Sequence, residues 1–180
     1  MIDGVAAFAV WCGVSLVVLA DGRRGLAAGL GLATLALAVL AWPAGGAVGS
    51  GALLVGGLVA AVQRLFSGPS GWDVMPAGST PRLVMCIATG LIALWIAGSV
   101  MTGAGAPLRF AVLTGVCLAG ARVLGSDDIA AAGTACAALI LVIAAGSAVD
   151  DLAPSSWLYA AAAAVAIVAS WFPRPRVEPR

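Results

Sequence analysis

The sequence predicts an all-α protein, a polytopic transmembrane helix bundle of about seven spans with its amino terminus outside and its carboxyl terminus cytoplasmic. Three observations predict it. Hydrophobic residues make up 62% of the 180 and charged residues 9%, with a mean hydropathy of +1.10. Soluble domains carry about 25% charge, so a water-soluble fold of this size could not cover its surface. The apolar residues fall in runs near the ~20 residues that cross a hydrocarbon core of ~30 Å. The arginines gather in alternate gaps between those runs.

The first run, Gly4–Ala20, follows Asp3, and no arginine precedes Arg23. A secretory signal has a positive amino-terminal region, so this run reads as a retained helix. Asp21-Gly22-Arg23-Arg24-Gly25 forms the first turn, and Leu26–Trp42 the second span. Pro43-Ala44-Gly45-Gly46 breaks it from the third, Val48–Phe66. A longer connector runs from Ser67 to Pro81 and holds Gly68-Pro69-Ser70-Gly71-Trp72-Asp73 and Pro76. It reads as an interfacial link, with Trp72 and Asp73 as candidates for a docking or gating loop.

Leu83–Met101 is the fourth span, and Gly103-Ala104-Gly105-Ala106-Pro107 divides it from the fifth, Leu108–Leu124. Gly125-Ser126-Asp127-Asp128 precedes the sixth, Ile129–Val149. There Ser126 is placed to cap, with Asp127 and Asp128 at the positive end of the helix dipole. Ala153-Pro154-Ser155-Ser156 precedes the seventh, Trp157–Phe172, with Ser155 or Ser156 as cap. The domain therefore covers residues 1–172. Residues 173–180, alternating proline and arginine, cannot continue a helix and form a disordered cytoplasmic tail.

Helices are the only choice, because backbone groups in lipid must be satisfied within the segment and no run alternates as barrel strands do. With seven spans, Arg23, Arg24, Arg64, Arg82, Arg122, Arg174, Arg176 and Arg180 share one side. Arg109 falls opposite, with Asp3, Asp150 and Asp151. The positive-inside rule then sets the orientation, with the cell membrane as the location. Trp42, Trp157 and Trp171 sit at run ends, as interfacial belts do. Trp11 and Trp95 lie inside runs and are expected to pack on helices or lipid.

Missing residues delete mechanisms. There is no His, Lys or Asn, and Glu178, Gln63 and Tyr159 are single examples of their kinds. Without His there is no imidazole base or haem ligand; without Lys there is no Schiff base. Cys12, Cys86, Cys117 and Cys136 lie on separate runs, without the close spacing of thiolate metal or redox motifs. No cofactor or metal is expected, and a net charge of +1 gives no case for nucleic acid.

Ionisable groups at mid-depth mark transport pathways, and here every Asp, Glu and Arg lies within a turn or two of a run end. The deeper polar groups are the hydroxyls of Ser15, Thr34, Thr89, Ser99, Thr114, Thr134 and Ser147, which can bond their own helix backbone. Small-xxx-small steps at Gly25/Gly29, Gly57/Ala61 and Gly115/Ala119 allow close helix contact, within the chain or with partner subunits or a second copy. The hairpin Arg24–Arg64 aligns with Arg82–Arg122 at a spacing of 58, matching Gly57 to Gly115 and Arg64 to Arg122, as an internal duplication would.

One pattern points to an enzyme. Asp21-Gly22-Arg23-Arg24 after the first helix and Gly125-Ser126-Asp127-Asp128 before a later one resemble the aspartate motifs of membrane prepilin peptidases. The resemblance implies an aspartyl site at Asp21 with Asp127 or Asp128. It covers about eight residues; Asp127 stands where the Gly-x-Gly-Asp motif has its second glycine, and the run expected after the first aspartate is absent. The composition favours instead a non-enzymatic subunit or scaffold of a membrane transport, secretion or envelope complex. The alternative is a small transporter or channel for a neutral or apolar solute.

Overall fold

The computed structural model describes residues 1–67, 70–99, 103, 105–147 and 156–171. All regular structure in it is helical: α1 (Ile2–Leu19), α2 (Arg23–Phe66), α3 (Thr80–Ser99), α4 (Ala106–Leu124), α5 (Ile129–Gly146) and α6 (Ser156–Ser170). The first five are long and apolar enough to cross a membrane; α6 is apolar and shorter.

The expected second and third runs form one continuous element, α2, of 44 residues. The expected four-residue break at Pro43–Gly46 is a single residue: helix continues through Pro43 and is interrupted at Gly46, with φ 58° and ψ −164°. An L side chain is strained at that φ, and glycine is not. Ser50, in the first turn after the break, donates its hydroxyl to the Gly46 carbonyl.

The break folds α2 back on itself. Thr34 and Gly57 would lie ~34 Å apart on a straight helix. Instead, a Cβ added to Gly57 would run into Thr34 Oγ1 and Cγ2. The limbs, residues 23–45 and 47–66, are thus an antiparallel hairpin with its tip at Gly46. Each limb has the length, ~34 and ~30 Å, of a hydrocarbon core.

Small residues build the remaining interfaces. Gly13 of α1 approaches the first limb so closely that a Cβ there would lie 2.6 Å from the Ala33 amide nitrogen. On the second limb, Gly56 lies against Ala163 of α6. Gly115 of α4 packs on Val142 of α5. α5 sits between α4 and α6 and also meets α2, while α3 lies at the edge against α4 and α1. The core is chiefly alanine, valine and leucine; its largest fully buried side chain is Tyr159, which fills the space under the hairpin tip beside Gly45 and Gly49. The small-xxx-small steps therefore serve packing within the chain. The aligned glycines Gly57 and Gly115 meet unlike partners, Thr34 of the same hairpin and Val142 of α5.

Two further expectations meet the structure here. Asp128, not Ser126, is the N-cap of α5; its carboxylate accepts from the Ala130 and Ala131 amides at 3.0 and 3.3 Å. A cap must sit immediately before the first helical residue to reach those amides, and Ser126 is two residues too early. Ser155 and the tail 173–180 lie outside the described residues, as do Asp150 and Asp151. Trp42, Trp157 and Trp171 are exposed at helix ends, Trp95 faces outward from α3, and Trp11 is half-buried against α3.

Candidate functional site

The described charges collect at the helix ends, and most of the arginines at one of them. Asp21, in the turn between α1 and α2, accepts from Arg82 Nη1 at 3.1 and 3.2 Å and from Arg122 Nη2. Arg122 Nη2 also donates to the Ala20 carbonyl at 3.2 Å. One carboxylate thus ties the start of α3 and the end of α4 to the α1–α2 turn. Arg82 and Asp21 are about one-third exposed, whereas only 3% of the Arg122 side chain is. A buried guanidinium needs a counter-charge, and Asp21 provides it.

The connector before α3 closes over the same turn. The Asp21 amide donates to the Asp73 carbonyl, the Met75 amide to Leu19, and the Arg24 amide to Gly71, each at 3.1 Å. Ala20 and Val74 form a one-residue antiparallel bridge. The close fit depends on glycine: a Cβ on Gly22 would lie 2.6 Å from the Gly71 carbonyl oxygen. Asp73 and Met75 hold positive φ values of 33° and 58°, which the backbone pairing on either side maintains.

Each candidate residue therefore has a place. Asp21 is an ion-pair hub. Asp128 caps α5, and Asp127 is exposed beside it. Among the described residues no hydrogen bond joins Asp21 to Asp127 or Asp128. Asp73 gives its carbonyl to the latch over the α1–α2 turn, the Trp72 backbone packs against Gly22 and Gly25, and both side chains are exposed. The sequence reading missed Arg82 and Arg122 as partners of Asp21. Their shared side of the membrane was the one available signal, because the bonds span 61 and 101 residues.

Arg64 is buried near the start of α5 and the end of α6, close to Gly133. Beside it, Ser170 donates its hydroxyl to Gln63 Oε1. α4 and α5 are joined by a four-residue turn, so this cluster and the Asp21 hub occupy the same end of the bundle. Arg109, in the first turn of α4, lies at the other end.

Three interior threonines are committed to backbone, whereas the buried Ser15 and Tyr159 hydroxyls have no hydrogen-bond partner among the described residues. Thr34 donates to Leu30, Thr114 to Phe110 and Thr134 to Ala130, at 2.7–2.8 Å. Two larger grooves open on the end away from the hub. One, of about 520 Å³, lies between α1, α3 and α4 and is lined by Phe8, Trp11, Leu91 and Phe110 among others. The second, of about 890 Å³, lies between the start of α1 and the hairpin tip. All four cysteines are free, and no group of His, Cys, Asp or Glu among the described residues could hold a metal ion.

No family model, curated protein or solved structure matches this chain.

Proposed function

We propose that the chain is a seven-span protein of the cell membrane and serves as a non-enzymatic subunit or scaffold of a membrane transport, secretion or envelope complex. The two limbs of α2 count as separate spans in this reading. The arginine-rich end then faces the cytoplasm and the amino terminus lies outside, as the positive-inside rule requires. Labelling of single cysteines in intact cells tests the topology. On a cysteine-free background, Trp42→Cys is expected to react with a membrane-impermeant maleimide, and Ser70→Cys only after permeabilisation. Equal labelling of both defeats seven spans.

One observation carries the scaffold reading: the interior threonines Thr34, Thr114 and Thr134 are bonded back to their own helices. With the described charges at helix ends, these threonines add no free polar group to a path for a solute. The apolar outer side of α3, with Leu91, Ile92 and Trp95 exposed, is then available to a neighbouring subunit. A photoreactive residue at Leu91 or Trp95 in living cells is expected to give one discrete protein adduct. Adducts to lipid alone, together with purification as a lone monomer in mild detergent, would overturn the scaffold.

A transporter for an apolar solute is the second reading, favoured by the 520 Å³ groove. Flux into reconstituted vesicles above that of empty controls would establish it.

A further inference from the structure

We propose that the connector before α3 seats on the bilayer surface as an interfacial anchor, and that Arg23 and Arg24 beside it bind the headgroups of anionic phospholipid. Three apolar side chains, Trp72, Val74 and Met75, lie exposed within four residues of this loop. The loop cannot turn them inward. Its backbone is fixed to the α1–α2 turn through the Gly71 and Asp73 carbonyls and the Met75 amide, at 3.1 Å each. Asp73 and Met75 hold φ values of 33° and 58° along that course. Backbone strain of this kind clusters where a segment is positioned for a task. In water, a fixed apolar strip stays hydrated at a cost in free energy. At the level of the lipid headgroups it does not, and tryptophan collects at that level.

Charge identifies the lipid. The connector lies against the first turn of α2: the Arg24 amide donates to Gly71, and a Cβ on Gly25 would lie 2.7 Å from the Trp72 carbonyl oxygen. Arg23 and Arg24 open that helix, the first half-buried and the second exposed. Neither guanidinium has a hydrogen-bond or ion-pair partner among the described residues. The acids of this end do not serve them. Asp21 holds Arg82 and Arg122, Asp128 caps α5, and Asp73 and Asp127 form no ion pair among the described residues. Nor does the helix account for the two arginines, since its dipole disfavours cations in the first turn. Two partnerless guanidiniums beside an apolar strip complement a layer of phosphates above hydrocarbon, and bind it through charge-assisted bonds.

The proposal rests on the bilayer reading. A chain that stays soluble without detergent fails that reading before lipid is measured; a detergent-extracted chain that retains anionic and zwitterionic lipid equally fails this one. The test is native mass spectrometry of the full chain in mild detergent, titrated with palmitoyl-oleoyl phosphatidylglycerol or with the phosphatidylcholine of the same chains. Phosphatidylglycerol is expected to be preferred, each of the two arginines supplying about fivefold. Arg23→Gln/Arg24→Gln is expected to cut the preference by about tenfold or more, and Arg109→Gln, at the opposite end, to leave it unchanged. Trp72→Ser is expected to weaken retention of both lipids without changing their ratio. Millimolar inorganic phosphate is expected not to displace the lipid. An unchanged preference in the double variant, its loss in Arg109→Gln, unaltered retention in Trp72→Ser, or displacement by phosphate each overturns the proposal. Should circular dichroism show that the double variant has lost its helices, Arg24→Gln, at an exposed position, carries the test with a loss of about fivefold. A photoreactive residue at Trp72 that gives a discrete protein adduct in living cells, in place of lipid adducts, overturns the proposal in favour of a protein partner.

Discussion

Replacing Asp21 by Asn separates the two arginines that share it. The bridge to Arg82 joins side chains that are 35% and 37% exposed, and such pairs contribute ~0–1 kcal/mol. Arg122 is different, since only 3% of its side chain is exposed. Stripping a buried charge of its partner costs ~3–5 kcal/mol. The partial exposure of Asp21 and the surviving bond to the Ala20 carbonyl reduce that figure. We expect a loss of about 2–3 kcal/mol, or roughly 30- to 160-fold in the folding constant. The assay is reversible unfolding in mixed micelles by increasing dodecyl sulfate, followed by helical circular dichroism. Arg82→Gln is expected to cost under ~1 kcal/mol, and its effect to vanish in 1 M salt. A double-mutant cycle between Asp21→Asn and Arg122→Gln is expected to show strong coupling. An Asp21→Asn protein within ~0.5 kcal/mol of the parent would refute the argument that Asp21 is the counter-ion of a buried arginine.

Three further outcomes follow from the packing. Gly57→Ala places a methyl on Thr34; although alanine favours a helix by ~1 kcal/mol over glycine, a net destabilisation of ~1–3 kcal/mol is expected, partly recovered in Gly57→Ala/Thr34→Ala. Unfolding in dodecyl sulfate measures both, and a stabilised single variant would show that the limbs do not touch there. Gly22→Ala pushes on the Gly71 carbonyl and is expected to free the connector, read as faster hydrogen exchange at the Asp21, Arg24 and Met75 amides. Unchanged exchange would mean that the connector is not latched. Asp128→Ala removes the α5 cap at a cost of ~1 kcal/mol, whereas Ser126→Ala is expected to be neutral; the reverse order would restore Ser126 as the cap.

The helices were legible in the sequence because the signal that specifies them is local. A run such as Gly4–Ala20 has no alternative to helix in lipid, and α1 departs from it by a residue or two. The turn at Gly46 was legible in position from Pro43 and the paired glycines. Its sharpness was not, because one glycine at positive φ suffices where composition marks four residues. The cap of α5 was misassigned for a related reason. Ser126, Asp127 and Asp128 all have capping side chains, and the choice among them depends on where the first helical residue falls. The latch over the α1–α2 turn was not legible at all. Its bonds are made by backbone groups of Asp21, Asp73 and Met75, and its fit depends on an absent side chain at Gly22. Neither carries a compositional mark.

The arginines show how one sequence pattern serves two purposes. Segregation to one end reads as orientation, since arginine resists transfer across the bilayer. The same segregation brings Arg82 and Arg122 within reach of one carboxylate, so residues of the set proposed to orient the chain also hold α3 and α4 to its first turn. That double use bears on the resemblance to aspartyl peptidases. An aspartate held between two guanidiniums has its oxygens occupied by them, whereas an aspartyl dyad needs two carboxylates close enough to share a proton. Asp21 meets the first description through Arg82 and Arg122, and Asp128 spends its oxygens on the amides of α5. The motif-like spacing of these aspartates is accounted for by a turn and a helix start, the two places where a short acid is useful in a bundle of this kind.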